Sequence, residues 1–258
     1  MIALLSPAKS LDFAKPLPSL ESTEPRFAEE AESLAAAAAK LGPKKLADLM
    51  HISPKLAKLN AARYRAFAEA EDRAAIYAFV GDVYLGFEVR SLDDEAIRFA
   101  QGHVRILSGL YGLLRPLDRI RPYRLEMGTR WAPGRKKTLY DHWGRKISDM
   151  LATDLALDGS DTIVNLASQE YWHAVEIAPP RGARILTIDF REPGPDGALR
   201  FNTFAGKRAR GLMARWMSEH HVADPEALKG FDSDGYAYAA AHSSADRWTF
   251  VRAKIMSS

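Results

Sequence analysis

With 258 residues, 47% of them apolar, and a formal net charge of +3, the chain has enough hydrophobic sequence for a substantial core without covalent staples. It contains no cysteine, which excludes disulfides, thiolate metal sites, a cysteine nucleophile and direct thiol sensing of oxidants. Met1 precedes an apolar run of only four residues with no basic leader and no cleavage site, and no run reaches the length of a membrane span, so the chain reads as a soluble cytoplasmic protein without a membrane partner.

The opening IALL predicts a strand. It exits into SPAK, which places Ser6 and Lys9 at the S-x-x-K spacing that can serve a serine nucleophile with a lysine base. The companion S-D-N and K-T-G signatures are missing, so an anion site at a strand exit, or a plain turn at Pro7, suits the same residues. Residues 26–41 form an alanine-rich helix. Leu46, Leu49 and Met50 share a helical face after Pro43, and Ser53 followed by Pro54 starts another helix as N-cap and first-turn proline. Residues 49–64, LMHISPKLAKLNAARY, therefore lie close to a helix-hairpin-helix pattern, whose second helix points its positive dipole end at a DNA phosphate. His51 and Ser53 stand where that pattern has glycines, while Lys55, Lys58 and Arg65 line one face of the second helix. A corner between two helices with a solvated basic face fits these residues as well.

The AIYAFV run from Ala75 predicts a second strand. In residues 106–128, Leu107, Leu110, Leu113 and Leu114 anchor the first half in the core, and Gly109 and Gly112 permit close packing or a bend. Arg115, Arg119, Arg121 and Arg124 follow, near Tyr111 and Tyr123; guanidinium forks and aromatic planes suit phosphate and base contacts. Asp118 and Glu126 could neutralise two of these arginines, and an internal network that only holds the loop is the alternative. The TIVNLA strand from Thr162 delivers Asn165, Ser168, Gln169, Glu170 and Tyr171 at its exit, a cluster able to hydrogen-bond a base or sugar edge or simply to cap the next helix. Glu170 and His173 make an isolated E-x-x-H pair, so no metal site and no cofactor is expected. RILTIDF from Arg184, LRFNTF from Leu199 and WTFVRA from Trp248 read as further strands, and Ala209, Leu212, Met213, Trp216 and Met217 as one face of a helix. The fold class is mixed α/β: one domain over residues 1–258, with a central mixed sheet, surrounding helices and a helix-hairpin-helix-like element near residues 43–67.

Charge is distributed in blocks. Residues 40–65 hold seven Lys or Arg against one acid, residues 98–146 hold twelve against three, and residues 200–215 hold five against none. Between the first two blocks, residues 69–95 carry eight acids against two arginines. Three separated basic blocks suggest one polyanion-binding surface assembled from distant segments, with ordinary solvated faces as the alternative.

The stretches SPAKSLDF, ISPKLAKLNAARY, AFVGDVYLGF, LSGLYGLLRPLDRIRPYRLEMG, LYDHWG, VNLASQEYW, ARGLMARWM and GFDSDGYAY occur in an order that resembles the YaaA family of bacterial peroxide-stress proteins. The resemblance runs from Met1 to about Arg252. It implies a single α/β domain with a helix-hairpin-helix element and a basic cleft, DNA as partner, and a role in limiting free intracellular iron under hydrogen peroxide. The leading expectation is DNA binding through Lys55, Lys58, Arg115, Arg121, Arg124, Lys207, Arg208 and Arg210. One alternative is an enzyme acting on a nucleotide or damaged base with Ser6, Lys9, Asn165, Ser168 and Glu170 around a pocket; another is a protein-interaction factor in iron homeostasis.

Overall fold

A computed structural model describes residues 1–18 and 20–252. Strands β1 (Ile2–Leu5) and β2 (Ser10–Leu11) precede three helices, α1 (Ala28–Ala39), α2 (Gly42–Met50) and α3 (Pro54–Arg65). Short pieces follow: β3 (Arg73–Ala74), α4 (Ala75–Ala78), β4 (Phe79–Val80) and α5 (Asp82–Phe87). Helix α6 (Asp94–His103) runs straight into β5 (Val104–Ser108), followed by β6 (Gly112–Leu114) and β7 (Arg119–Ile120). After a long loop come α7 (Leu139–Trp143), α8 (Lys146–Asp158), β8 (Thr162–Asn165), α9 (Gln169–Glu176), β9 (Arg184–Pro193) and β10 (Leu199–Arg200). The last elements are α10 (Thr203–Glu219), β11 (Tyr236–Tyr238) and β12 (Arg247–Arg252).

The central sheet runs β11-β12-β9-β8-β1-β5-β6, with β10 paired to β9. From β12 to β5 the neighbours are parallel, and β11, β6 and β10 join antiparallel. The sheet is therefore mixed, as the interspersed strands and helices imply. β1 lies in its middle and is buried at every residue, which is why IALL carries no polar alternation. A parallel sheet collects its loops at the carboxyl ends of the strands, so the exits of β1 and β8 at Ser6 and Leu166 are neighbours.

The pair α2 and α3 forms where the sequence places it. Leu46 and Met50 are buried, whereas Leu49 is only partly covered. His51 ends α2 in the left-handed conformation, φ 49° and ψ 50°, taking the backbone role that a hairpin glycine would have. Ser53 then caps α3, its Oγ accepting the Leu56 N–H at 3.3 Å.

Two expected strands fold differently. In AIYAFV the first four residues make α4, and only Phe79–Val80 is extended. Ala75 N–H and Ile76 N–H donate to the carbonyls of Asp118 and Pro116, both at 2.9 Å, so tertiary contact with the next loop decides a run whose periodicity suits either state. LRFNTF is extended for two residues before Asn202 caps α10, accepting Phe204 N–H at 3.1 Å and Ala205 N–H at 3.3 Å. The leucines at 107, 110, 113 and 114 are fully buried, as expected, but they do so on the antiparallel hairpin β5-β6. Gly112 in that hairpin has φ +66°, and a Cβ on it would strike the Trp143 ring.

Candidate functional site

The exits of β1 and β8 are tied together. Ser6 Oγ donates to Ser168 Oγ at 3.2 Å and accepts the Ser168 N–H at 2.8 Å, while Tyr84 OH donates to the Ser6 carbonyl at 3.2 Å. Asn165 is buried and its Oδ1 accepts the Ala167 N–H at 3.0 Å. Ser6, Asn165 and Ser168 thus shape the turns that launch Lys9 and α9. The S-x-x-K pair is not assembled: Lys9 turns to Glu126, Nζ to Oε1 at 3.4 Å, and Ser6 bonds to Ser168.

Above these turns lies a cleft of about 810 Å³, lined by Lys9, residues 48–51 of the α2 end, Arg124, Glu126, residues 128–130 and Glu170. Arg124 Nε and Nη2 donate to Glu126 Oε1 at 3.1 and 2.9 Å, so that one carboxylate oxygen holds both cations; the other, Oε2, is buried and forms no hydrogen bond among the described residues. Glu170 stands in the first turn of α9, where its Oε1 accepts the Gly128 N–H at 3.0 Å and its carbonyl accepts Tyr140 OH at 2.8 Å. Gly128 leaves little room beside it, since a Cβ there would sit 3.2 Å from that same Oε1.

Buried tyrosines hold the loop that crosses the cleft. Tyr64 of α3 donates to the Arg124 carbonyl at 2.6 Å, which fastens the helical hairpin to the loop. Tyr123 OH and Ser108 Oγ are 2.7 Å apart, and Tyr111 OH accepts the Arg121 N–H at 2.9 Å. Burial pushes the phenol pKa values of Tyr64, Tyr111, Tyr123 and Tyr171 upward. These groups therefore remain protonated, and the loop keeps its shape, across the physiological pH range.

The cleft is balanced in charge: Lys9, Arg124 and Arg130 face Asp48, Glu126 and Glu170. Exposed basic residues adjoin this lining in sequence. Arg130 is exposed and makes no ion pair among the described residues, and the exposed Arg135, Lys136 and Lys137 follow on the same loop. On the hairpin side, Lys55 and Lys58 are exposed. At the start of α3, Pro54 has no N–H and Leu56 N–H is taken by Ser53, so of the first three positions only Lys55 has a backbone donor left for a ligand.

The other expected DNA contacts lie elsewhere. Arg115 pairs with the fully buried Asp118 at 2.8 Å and donates to the Glu24 carbonyl at 2.9 Å. Arg121 lines a separate pocket of about 110 Å³ with Glu24, Glu32 and Asp72, its guanidinium 5.7 Å from the Phe67 ring centre. Lys207, Arg208 and Arg210 belong to α10, away from the cleft lining. Of these, Lys207 is exposed, Arg208 pairs with Asp234 at 3.1 Å, and Arg210 is partly covered against Phe201, with its pKa lowered by burial. Lys9, Arg124 and Glu170 do come together, joined by Arg130, Thr129 and Tyr64, which the sequence reading does not single out. Among the described residues, no three acidic or histidine side chains are placed to hold a metal ion, and no helix is long and apolar enough to cross a membrane.

A family model described as peroxide stress protein YaaA matches residues 1–242. A UPF0246 protein of Rhizorhabdus wittichii is 68% identical over 254 residues, covering 98% of this chain and 100% of the relative. UPF0246 proteins of Paracidovorax citrulli and Neisseria gonorrhoeae are 50% and 46% identical, each over 98% of this chain and over 98% and 99% of their own lengths.

Proposed function

Because the chain belongs to the family of the peroxide stress protein YaaA, we propose that it serves peroxide-stress defence in the cytoplasm by binding DNA across the cleft, and that it helps to limit free iron there. The observation that carries the DNA reading is the meeting of the α2-α3 hairpin with the loop at residues 124–130 on one cleft, fastened by the Tyr64 hydrogen bond. In this arrangement Lys55, Lys58, Arg130 and the lysines and arginine that follow it engage phosphates along the rim. Arg124 and Lys9, already held by Glu126, act closer to the floor. The hairpin supports the reading in a particular way. With little free backbone N–H at the start of α3, the lysine side chains supply most of its attraction for an anion.

Replacing Lys55 and Lys58 together by alanine is therefore expected to weaken duplex binding uniformly across sequences, since phosphate contacts carry no base information. In a salt titration, each lost contact lowers the slope of log K against log salt by about 0.9. Unchanged affinity together with an unchanged slope would make the hairpin a packing corner and remove it from the interface.

An enzyme acting on a nucleotide is the second reading. What favours it is the anchored Glu170 carboxylate facing a cleft that also holds Lys9, a combination that phosphate binding does not need.

A further inference from the structure

The floor of the cleft is unsuited to the phosphates that its rim would attract. Glu126 and Glu170 are both fixed there, one by Lys9 and Arg124 and the other by the Gly128 N–H. A duplex backbone, which offers hydrogen-bond acceptors and negative charge, gains nothing from two tethered carboxylates. A group that bears N–H donors does. Glu170 Oε1 is occupied by Gly128, so its Oε2 is the oxygen that remains for a ligand; no described residue donates to it. The volume, about 810 Å³, falls in the range of small-molecule sites, roughly 300–1,000 Å³.

We infer that the cleft takes up a single unpaired nucleotide and selects a base that carries an exocyclic amine, cytosine, adenine or guanine, over thymine, through Glu170 Oε2. The inference rests on the DNA-binding reading and extends it from backbone attachment to base selection. Carboxylates pair with the amino hydrogens of cytosine N4, adenine N6 or guanine N2, whereas thymine has no amino group and presents a carbonyl oxygen at C4. Arg130, which lines the same cleft and makes no ion pair among the described residues, is placed for the nucleotide's own phosphate. A base that is already unpaired reaches such a site at the least expense, because no stack or pair has to be broken first.

The tether to Gly128 gives a sharp consequence for Glu170→Gln. The glutamine carbonyl preserves the hydrogen bond from the Gly128 N–H by taking the place of Oε1, and the amide NH2 then stands in the place of Oε2. An acceptor thus becomes a donor, and the preference should invert towards thymine, whose O4 accepts. Of the two amide orientations, this is the one that keeps the hydrogen bond from Gly128.

The test uses fluorescence anisotropy with labelled duplexes that differ only in one extra unpaired dC, dA or dT, alongside the fully paired duplex. For the native chain, the dC and dA bulges are expected to bind about tenfold more tightly than the dT bulge. For Glu170→Gln, the dT bulge should become the tightest of the three. Equal affinity of the native chain for all three bulges, with the paired duplex still bound, overturns the base selection and leaves the DNA reading standing. Failure to bind any of the four overturns both. If the variant proves unfolded by its thermal transition, the native comparison decides alone; a variant that folds and keeps the native preference overturns the role of Glu170.

Discussion

Gly211→Ala is expected to destabilise the protein by about 3 kcal/mol, the upper end of what overpacking costs. Gly86 of α5 and Gly211 of α10 allow these helices to cross almost in backbone contact: a Cβ on Gly211 would overlap the Val83 carbonyl oxygen, and one on Gly86 the Arg208 carbonyl oxygen. Alanine is favoured over glycine in a helix by about 1 kcal/mol, which works in the opposite direction. Sterics should win because the atoms struck are backbone, which cannot swing aside as a side chain can. Gly102 in α6 is the control, since nothing lies within 4 Å of its Cβ position and its φ is not positive. Gly102→Ala should be neutral or stabilise by up to about 1 kcal/mol. Urea denaturation of the two variants reads the difference; equal effects would mean that the crossing is not as close as described.

The second large effect concerns Asp154. This buried carboxylate on α8 receives Arg26 Nη1 at 2.6 Å on one oxygen and Arg105 Nε at 2.7 Å on the other. Arg105 is itself buried, and two nitrogens of Arg26 are buried without hydrogen bonds among the described residues. Asp154→Asn leaves two guanidinium groups beside a neutral amide, and about 3 kcal/mol of stability should be lost, as when one partner of a buried pair is removed. Burial acts to raise the Asp154 pKa, but the hydrogen bonds from Arg105 and Arg26 outweigh it and hold the pKa below the ordinary carboxylate value. A lowered pKa in the folded state means that the contribution is complete above the unfolded value, about 3.9, and is lost as pH falls through the folded one. The stability gap between the native chain and Asp154→Asn should thus be constant from neutral pH down to about 4 and close below it. A gap that stays open at pH 2, followed by thermal melts, would rule out the ion pairs as its source.

How far the fold could be read from the chain depended on where local signals outweighed distant contacts. IALL and TIVN are apolar runs flanked by turns, and both are central strands. Ser53 and Pro54 set the start of α3 through local chemistry alone. β5 was hidden because His103 and Val104 join helix to strand with no glycine or proline to mark the change. The site was harder still. Arg121 and Arg124 are three residues apart in one basic block, yet the intervening Pro122 and buried Tyr123 turn the chain so that they line different pockets. Arg130 sits in the same block without any spacing that sets it apart. What gathers Lys9, Arg124, Arg130 and Glu170 is the parallel β8-β1-β5 order, which only long-range pairing defines.

Hydrogen exchange of the native chain, measured with and without a mixed-sequence DNA duplex carrying one unpaired dC, tests the central claim that this cleft is the DNA interface. Slowed exchange is expected at residues 48–58 and 124–137 together, with little change along α10 or around Arg121 and Glu32. Protection confined to α10, or spread evenly over all basic segments, would contradict it.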